Sequence, residues 1–368
     1  MTKVLILANS SSGLYDFRNE LIVELLGSGH EVLISLPDDV KASELSEEGC
    51  RIIHTDINRR GVNPVQDLGL FRSYMKLIRS ERPELVLTYT IKPNIYGGMA
   101  CRLLKVPQIG TVTGLGTTFE RGGMLLKLIV MMYKTSLKKC RCLFFQNEEN
   151  RDKFASHGIR ALKTATVHGS GVNLDKHRAE AYPGHEDDIT RFLYVGRIMK
   201  EKGIDEYLHA ARKLHDEYGD RVSFAAVGYY DDDYESVIRQ AEDDGVIKRI
   251  PFQKDIHPYM READAIVHPS YHEGMSNVIM EAAACARPVI ASDISGCREM
   301  IDADKSGYLI KPRDKDSLTQ ALERFMELSV DKRRAMGEAG RLFVEAHFDR
   351  RDVVSSYMSE IEDIKNGR

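Results

Sequence analysis

Short apolar runs recur along this chain, and longer segments with helical periodicity separate them. Runs of four to seven residues rich in valine, isoleucine and leucine are typical of strands buried in a parallel sheet. The longer segments fit helices that connect one strand to the next. We predict strands near residues 4–8, 31–35, 51–54, 85–88, 109–112, 143–145 and 164–167, and again near 191–195, 222–227, 249–252, 265–268, 289–291 and 307–310.

A polar, irregular stretch after a glycine-rich segment divides this pattern into two halves. At 368 residues the chain is long enough to bury two separate cores. We therefore predict an α/β protein with two Rossmann-like parallel-sheet domains. The predicted parts are residues 1–172, a linker over 173–190, a second domain over 191–345, and a terminal helix over 346–368 that packs back on the first domain.

The most informative stretch is a strand, loop, helix and strand over residues 265–291. Glu273 lies in its loop beside Gly274, which lets a backbone approach a ligand closely, and Glu281 lies about two helical turns later. The backbone amides that follow Gly274 would form an anion site at the start of the helix. Solvated helix-end charges are the competing interpretation of the two carboxylates. The amides belong to Met275, Ser276, Asn277 and Val278.

A second candidate anion site follows the predicted strand at 191–195. Gly196, Arg197, Lys202 and Gly203 place two cations and two glycines across a strand-to-helix turn, an arrangement that suits a diphosphate. A charged surface turn is the alternative, and the Glu273 loop further along the chain argues against it.

Two further features of this half bear on a nucleotide. Phe252, after Pro251, could form an apolar wall for a base. The aspartates at 231–233 could hold a metal, but we favour a helix cap, because acidic residues complement a helix N-terminus.

The first half carries weaker signals at the carboxyl ends of its strands, where ligands of parallel sheets gather. No G-x-G-x-x-G motif is present, so a dinucleotide site is disfavoured. Arg18 near a predicted helix start could bind an anion, and Lys92 could contact a ligand, although solvated charges explain either residue. The candidates are Gly13, Tyr15, Phe17, Arg18, Lys92, Asn94, Gly114 and Gly116.

Charge is distributed unevenly. Residues 1–185 hold 25 lysines and arginines against 19 acidic residues, whereas the remainder holds 27 against 37. A basic first half is suited to an anionic surface or lipid. The helix predicted over residues 124–139 is strongly apolar with lysines towards one end. It could lie in a membrane interface or in the core.

Cysteine usage and the N-terminus indicate a cytoplasmic protein. The six cysteines lie mostly within apolar patterns and are predicted to be reduced and buried. The apolar run at 4–8 is too short for a secretory signal, and no run reaches the length of a membrane span.

Several of these motifs together resemble glycosyltransferase family 4, a retaining family with the GT-B fold, in which two Rossmann-like domains face each other across a cleft. The resemblance rests on Gly196-Arg197, Lys202-Gly203, Pro251-Phe252, Glu273-Gly274 and Glu281-Ala282. The motifs Tyr15-x-Phe17-Arg18, Lys92-x-Asn94 and Gly114-Leu-Gly116 are similar to the membrane-associated branch that extends undecaprenyl-diphosphate-linked sugars. That branch includes PglA-type N-acetylgalactosaminyltransferases and enzymes of capsular and exopolysaccharide synthesis.

The resemblance implies a role for each residue. Arg197 and Lys202 would neutralise the diphosphate of a UDP-sugar as it leaves, and Glu281 would accept hydrogen bonds from the ribose. Glu273 would hold a hydroxyl of the donor sugar, which we expect to be a hexose or N-acetylhexosamine, with N-acetylgalactosamine as the best guess. Neither a metal nor another cofactor is expected, and neither is a nucleic-acid partner.

The acceptor and the class of the protein each have an alternative. The basic first half favours a polyprenyl-diphosphate-linked sugar at the inner face of the cytoplasmic membrane, with the enzyme bound peripherally. A soluble sugar or small metabolite is the alternative acceptor. A sugar-nucleotide-binding subunit without turnover is the alternative from another class, and the set formed by Arg197, Lys202, Glu273 and Glu281 argues against it.

Overall fold

The computed structural model describes residues 2–58, 63–115, 119, 122–185 and 187–367. The chain forms two compact units. One consists of Met1–Ser170 together with Arg350–Arg368, and the other of Gly171–Asp349.

The first unit contains a seven-stranded sheet whose strands all run parallel, in the order β3-β2-β1-β4-β5-β6-β7. Its central strands are mainly apolar and almost fully buried, as a sheet covered on both faces requires. The strands are β1 (Lys3–Leu7), β2 (Glu31–Leu36), β3 (Arg51–His54), β4 (Leu85–Tyr89), β5 (Gln108–Val112), β6 (Cys142–Phe145) and β7 (Lys163–Thr166).

Helices cover both faces of this sheet. The described helices before the domain junction are α1 (Ser11–Gly27), α2 (Ala42–Glu47), α3 (Pro64–Glu81), α4 (Gly98–Leu104), α5 (Gly123–Leu137) and α6 (Glu148–Ser156), with a π-helical turn at Pro93–Gly97. Helix α1 packs on one face through Leu21 and Leu25, and α3 packs on the other through Tyr74 and Ile78.

The second unit contains a six-stranded parallel sheet in the order β10-β9-β8-β11-β12-β13. Its strands are β8 (Thr190–Val195), β9 (Val222–Val227), β10 (Lys248–Ile250), β11 (Ala265–His268), β12 (Val289–Ser292) and β13 (Gly307–Ile310). The strand predicted at 249–252 therefore ends before Pro251, which cannot donate to a strand ladder.

The helices of the second unit also lie on both faces of the sheet. They are α7 (Ile204–Tyr218), α8 (Glu235–Asp243), α9 (His257–Glu262), α10 (Asn277–Ala284), α11 (Lys315–Met326) and α12 (Val330–His347). Helices α7 and α11 pack on one face, and α9 and α10 pack on the other. The last helix, α13 (Arg350–Lys365), belongs to the first unit and packs beside α1 through Val353 and Tyr357.

The irregular segment before β8 is held tightly by the second unit. Tyr182 donates to the carboxylate of Asp264 at 2.9 Å. Arg287 is fully buried, and its guanidinium donates to main-chain carbonyl oxygens of Glu180, Ala181 and Met260. Six carbonyl contacts satisfy a buried cation that would otherwise be costly, so this segment is part of the second domain rather than a free connection.

Candidate active site

The order of strands reverses between β8 and β11 in the second sheet, and this is where parallel sheets bind ligands. The loops that follow these two strands carry Arg197, Lys202 and Glu273. They are joined where the Tyr271 amide donates to the Glu201 carbonyl at 2.9 Å. The sheet topology therefore brings together residues about seventy positions apart in the sequence.

Close packing fixes the backbone of the first of these loops. Gly203 has φ of 74°, and a Cβ there would lie 2.0 Å from the carbonyl oxygen of Pro269. Gly228, at the end of β9, passes so near the carbonyl oxygen of Gly196 that a Cβ would lie 1.8 Å from it. Only glycine fits at either position, which explains the glycines around the turn.

A buried hydrogen-bonded chain runs through the centre of the site. Lys202 pairs with the carboxylate of Glu273, and their side chains are only 18% and 13% exposed. The same carboxylate oxygen lies 2.9 Å from Nε2 of His268, which in turn lies 3.1 Å from the Ser276 hydroxyl. Glu273 is therefore held in one position by Lys202 from the loop after β8 and by His268 from β11.

The electrostatics of Glu273 follow from these contacts. Burial by itself raises the pKa of a carboxyl group, but the charge of Lys202 and the hydrogen bonds from His268 and Lys202 outweigh it. The pKa of Glu273 is consequently held well below its usual range, so the group is a carboxylate at neutral pH. Burial and the Glu273 charge together raise the pKa of Tyr194 well above its usual value.

The start of α10 adjoins this chain, as the sequence predicted. Ser276 is the N-cap, and its hydroxyl accepts from the Ile279 amide at 3.4 Å. The Ser276 amide donates to the Gly296 carbonyl at 2.9 Å, which ties the loop to the turn after β12. Asn277 and Val278 form the first turn of α10, and Gly274 and Met275 precede the cap. The remaining donor-site candidate, Glu281, lies half-buried one turn further along this helix.

The aspartates at 231–233 do not cap α8, and that prediction was wrong. The N-cap of α8 is Tyr234, without a side-chain cap. Asp231 instead pairs with Arg197, and Asp232 accepts from the Lys200 amide at 3.2 Å. Because β8 and β9 are parallel neighbours, the loops at their carboxyl ends lie side by side, and the acidic run neutralises the cationic turn.

Arg197 is more exposed than Lys202, with 39% of its side chain exposed against 18%. The side chain of its partner Asp231 is 12% exposed. The Arg197 carbonyl accepts from the buried hydroxyl of Tyr194 at 2.7 Å, which anchors the backbone while the guanidinium remains accessible. Arg197 can therefore exchange its carboxylate partner for another anion at little structural cost.

Two aromatic side chains stand exposed beside the carboxyl edge of the sheet. Phe252, predicted as an apolar wall, is largely exposed, and its ring packs edge-on against that of Tyr229 at 6.1 Å between centroids. Exposed aromatic pairs offer a surface on which a base can stack. Tyr229 was not predicted as a site residue, although its position directly after β9 and Gly228 was a usable signal.

The reasoning from sequence also missed His268 and Asp231 as members of the site. His268 was assigned to the end of a strand, and its imidazole is buried against Glu273. The signal that could have identified His268 is its place at the carboxyl end of β11, five residues before the carboxylate that it contacts.

In the first unit, α1 begins at Ser11. Ser10 caps the helix, and the Asp38 carboxylate accepts from both the Ser11 amide, at 3.3 Å, and its hydroxyl. The Asp38 side chain, from the loop after β2, thus satisfies hydrogen-bond donors at the start of α1. Because the helix begins at Ser11, Gly13 and Tyr15 lie within it.

Arg18 is correspondingly well inside α1 and buried, not near the helix start as predicted. Its guanidinium donates to the Phe17 carbonyl at 2.8 Å and lies over the Tyr89 ring at 5.4 Å. With the Gln146 amide oriented to suit its neighbours, its oxygen accepts from Arg18 at 3.0 Å. These contacts place Arg18, with half-buried Phe17 beside it, at the carboxyl ends of β4 and β6.

The other first-domain candidates follow β4 and β5. The Lys92 ammonium pairs with Asp67 of α3 at 2.7 Å. Asn94 is fully buried, accepting from Thr88 at 2.6 Å and donating to the Thr111 carbonyl at 2.8 Å, so it joins β4 to β5. Gly114 lies half-buried in the segment after β5, and Gly116 lies outside the described residues.

Thr90 at the end of β4 has an unusual backbone conformation, with φ of 74°. A β-branched residue in the left-handed region is strained, and such strain is concentrated at functional sites. Thr90 lies next to Tyr89, whose hydroxyl is buried, so this strand end is tightly constrained.

Helix α5 packs one side into the core and exposes the other. Tyr133, Ser136 and Leu137 are buried, whereas Met124, Met131 and Leu128 are 87%, 58% and 43% exposed. One side of the helix therefore belongs to the core, and whether the exposed side meets a membrane stays a prediction. No helix among the described residues is long and apolar enough to cross a membrane.

Each of the two domains matches a known protein family. Residues 3–147 match the family described as glycosyl transferase 4-like, and residues 175–343 match glycosyl transferases group 1. The chain is a glycosyltransferase. This confirms the family resemblance predicted from the motifs, and the group 1 match spans the domain of this transferase that carries Arg197, Lys202 and Glu273.

Similar proteins include two bacterial transferases. One is the N,N'-diacetylbacillosaminyl-diphospho-undecaprenol alpha-1,3-N-acetylgalactosaminyltransferase of Campylobacter jejuni, 24% identical, with 87% of this chain and 88% of that protein covered. The other is the UDP-Gal:alpha-D-GlcNAc-diphosphoundecaprenol alpha-1,3-galactosyltransferase of Escherichia coli, 26% identical, with 74% of this chain and 73% of that protein covered.

Among solved structures, Anabaena HepE in complex with UDP and glucose superposes on the transferase with a TM-score of 0.80. It is 16% identical, with 99% of this chain and 100% of that one covered. The likeness and the two parallel sheets confirm the predicted GT-B fold.

Proposed function

We propose that this transferase moves a hexose or N-acetylhexosamine, with retention of configuration, from a UDP-sugar to an undecaprenyl-diphosphate-linked sugar. The observation that carries the proposal is the meeting of Arg197, Lys202, Glu273 and the start of α10 at the switch point of the second sheet. Two cations and a helix N-terminus form a site for a diphosphate, and the carboxylate beside them forms a site for a sugar hydroxyl.

The chemistry follows from where charge develops. The bond between the sugar C1 and the diphosphate oxygen breaks, and a bond forms from C1 to an acceptor hydroxyl oxygen on the same face. The acceptor proton passes to the departing phosphate oxygen, and UDP leaves. Negative charge grows on the diphosphate, so Arg197 and Lys202 stabilise the transition state more than the ground state.

The remaining donor contacts divide between the two carboxylates and the aromatic pair. Glu273, fixed by Lys202 and His268, accepts from a hydroxyl of the donor sugar, and Glu281 accepts from the ribose hydroxyls. Tyr229 and Phe252 supply a stacking surface for the uracil. We propose that transfer itself proceeds without a metal ion, because the two cations supply the positive charge that the diphosphate requires.

The acceptor assignment is supported by two relatives whose names specify diphosphoundecaprenol-linked acceptors, at 24% and 26% identity. N-Acetylgalactosamine is the donor sugar we favour, since the first of them transfers it. A soluble acceptor is the alternative.

Association with the inner face of the cytoplasmic membrane is supported by two surfaces of the first domain. Met124, Leu128 and Met131 project from α5 as an exposed apolar row, which suits insertion between lipid headgroups. A shallow groove along α3 adds cations beside apolar side chains, which suits anionic lipid. The groove is lined by Phe71, Arg72, Met75, Lys76 and Arg79.

A donor screen tests the proposal. Purified protein is incubated with a panel of UDP-sugars and a short-chain polyprenyl-diphosphate-sugar, and UDP release is followed together with the lipid product. A product one sugar heavier would support the proposal and name the donor. Transfer to a soluble sugar alone would replace the acceptor, and UDP binding without any turnover would make the protein a binding subunit.

A further inference from the structure

Three metal-ligating side chains meet on the second domain, at the opposite end of α10 from the proposed donor site. They are His177 of the irregular segment, His257 at the first position of α9, and Cys285 at the C-cap of α10. One ligand atom from each lies within 4.8 Å of the others. Among the described residues, these are the three metal-ligating side chains that lie close enough together to share an ion.

The histidine nitrogens are already spaced for a shared metal. Nδ1 of His177 lies 3.0 Å from Nε2 of His257. Two imidazoles on a tetrahedral zinc ion are about 3.3 Å apart, because each Zn–N bond is about 2.0–2.1 Å. A thiolate on the same ion lies about 3.6 Å from each nitrogen. Because the Cys285 sulfur lies within 4.8 Å of them, it needs to move by about 1.2 Å at most.

A carboxylate orients one of the rings. Oδ1 of Asp255 lies 2.6 Å from Nδ1 of His257 and accepts its proton, which leaves Nε2 of that ring with a lone pair facing the cluster. A carboxylate behind a histidine in this way is the usual outer partner of a zinc-ligating imidazole. The cluster therefore contains both the candidate ligands and a carboxylate that orients one of them.

The segments that carry the ligands are held together independently of any ion. The Arg341 guanidinium donates to the carbonyls of His177, at 2.7 Å, and Ala284, at 2.6 Å. The Glu180 amide donates to the Cys285 carbonyl at 3.4 Å. Such a preformed cluster costs little reorganisation on binding, and the protein can fold when one ligand is replaced.

We propose that His177, His257 and Cys285 bind a zinc ion that fastens the segment after the domain junction to α9 and α10. Two imidazoles and one thiolate favour zinc over magnesium or calcium, which prefer oxygen ligands. Binding exchanges the hydrogen bond between the rings for two Zn–N bonds, with His177 protonated at Nε2. A Zn–S bond forms as the thiol proton of Cys285 passes to solvent. Solvent water completes the tetrahedral coordination, and the site is structural and distinct from the transfer chemistry.

The experiment uses the full-length chain without an affinity tag, stripped with a chelator. Zinc uptake is measured by competition with a chromophoric chelator, and cobalt is added separately as a spectroscopic probe. We expect one equivalent of zinc, a thiolate-to-cobalt charge-transfer band, and a zinc-dependent rise in melting temperature. Cys285→Ser and His257→Gln should each lose the equivalent, and Cys285→Ser should lose the band.

The matched control is Cys140→Ser, which removes another buried thiol whose bond to the Gln108 carbonyl a hydroxyl can keep. It should bind zinc as the unaltered protein does. Absence of zinc uptake by the unaltered protein, or equal uptake and an equal cobalt band in Cys285→Ser, would overturn the proposal. Because these measurements need no substrate, their failure would leave the glycosyltransferase assignment untouched.

Discussion

Lys202 offers the sharpest test of the site, because its proposed role in catalysis can be separated from its contribution to stability. Lys202→Met removes the ammonium and keeps an apolar stem of similar length. It leaves the Glu273 carboxylate buried and still in contact with His268. The double variant Lys202→Met/Glu273→Gln then removes the unpaired charge as well, without restoring the cation.

The structure sets the expected magnitudes. Losing one charge-stabilising donor should lower kcat by about 10²–10³-fold. Breaking a pair this buried should lower the free energy of unfolding by about 3 kcal/mol, the lower end of the usual range because His268 still contacts the carboxylate. For a domain of this size that corresponds to a fall in Tm of about 6–12 °C. The double variant should regain most of the stability and none of the turnover.

The assay combines initial rates of UDP release, with the donor named by the screen, and thermal unfolding of each variant. Lys200→Met is the control, because Lys200 lies two residues away in the same turn with an exposed side chain. It should keep the rate and the Tm of the unaltered protein. Near-normal turnover in Lys202→Met would remove the diphosphate assignment. Recovery of turnover in the double variant would show that Lys202 acts only through stability.

Three other outcomes follow from particular contacts. The folded-state pKa of Glu273 is lowered, so its carboxylate stabilises the fold above the ordinary glutamate pKa of about 4.3 and loses this effect as pH falls further. Acid titration should therefore destabilise the unaltered protein more steeply than Glu273→Gln. Replacing Met124, Leu128 and Met131 with serine should weaken sedimentation with phosphatidylglycerol vesicles by at least about tenfold while leaving Tm unchanged. Gly203→Ala should cost about 2 kcal/mol or more in urea unfolding, because its backbone is left-handed and the new Cβ would meet a carbonyl oxygen at 2.0 Å.

Each of these has a result that contradicts it. Parallel acid-unfolding curves would mean that Glu273 is not stabilised by its partners. Loss of the fold in the triple serine variant would place the exposed row of α5 in the core. For Gly203, the comparison is Gly184→Ala, where an added Cβ meets no atom within 4 Å, and equal stability of the two variants would refute the packing argument.

Much of the secondary structure and several candidate site residues could be predicted from the sequence, because they depend on local chemistry. Buried parallel strands need continuous apolar runs, so the strands of both sheets could be placed within a few residues. Turns suited to phosphate carry glycine and cations, which made Arg197 and Lys202 candidates, and Glu273 became a candidate as the carboxylate beside Gly274. Serine is a favoured N-cap residue, which fits Ser276 at the start of α10.

Tertiary structure alone decided which charges meet. The pairing of Arg197 with Asp231, of Lys202 with Glu273, and of Lys92 with Asp67 depends on which strands and helices are neighbours. Sequence spacing does not encode strand order. The acidic run after β9 was for this reason assigned to a helix cap.

The same limit applied to side chains whose role depends on a distant partner. His268 was assigned to a strand and Cys285 to the core, and each assignment was compatible with the local pattern. Only the fold shows that His268 contacts Glu273, and that Cys285 lies beside His177 and His257. A sequence determines which side chains a strand or helix offers, whereas the packing of these elements determines which of them share a site.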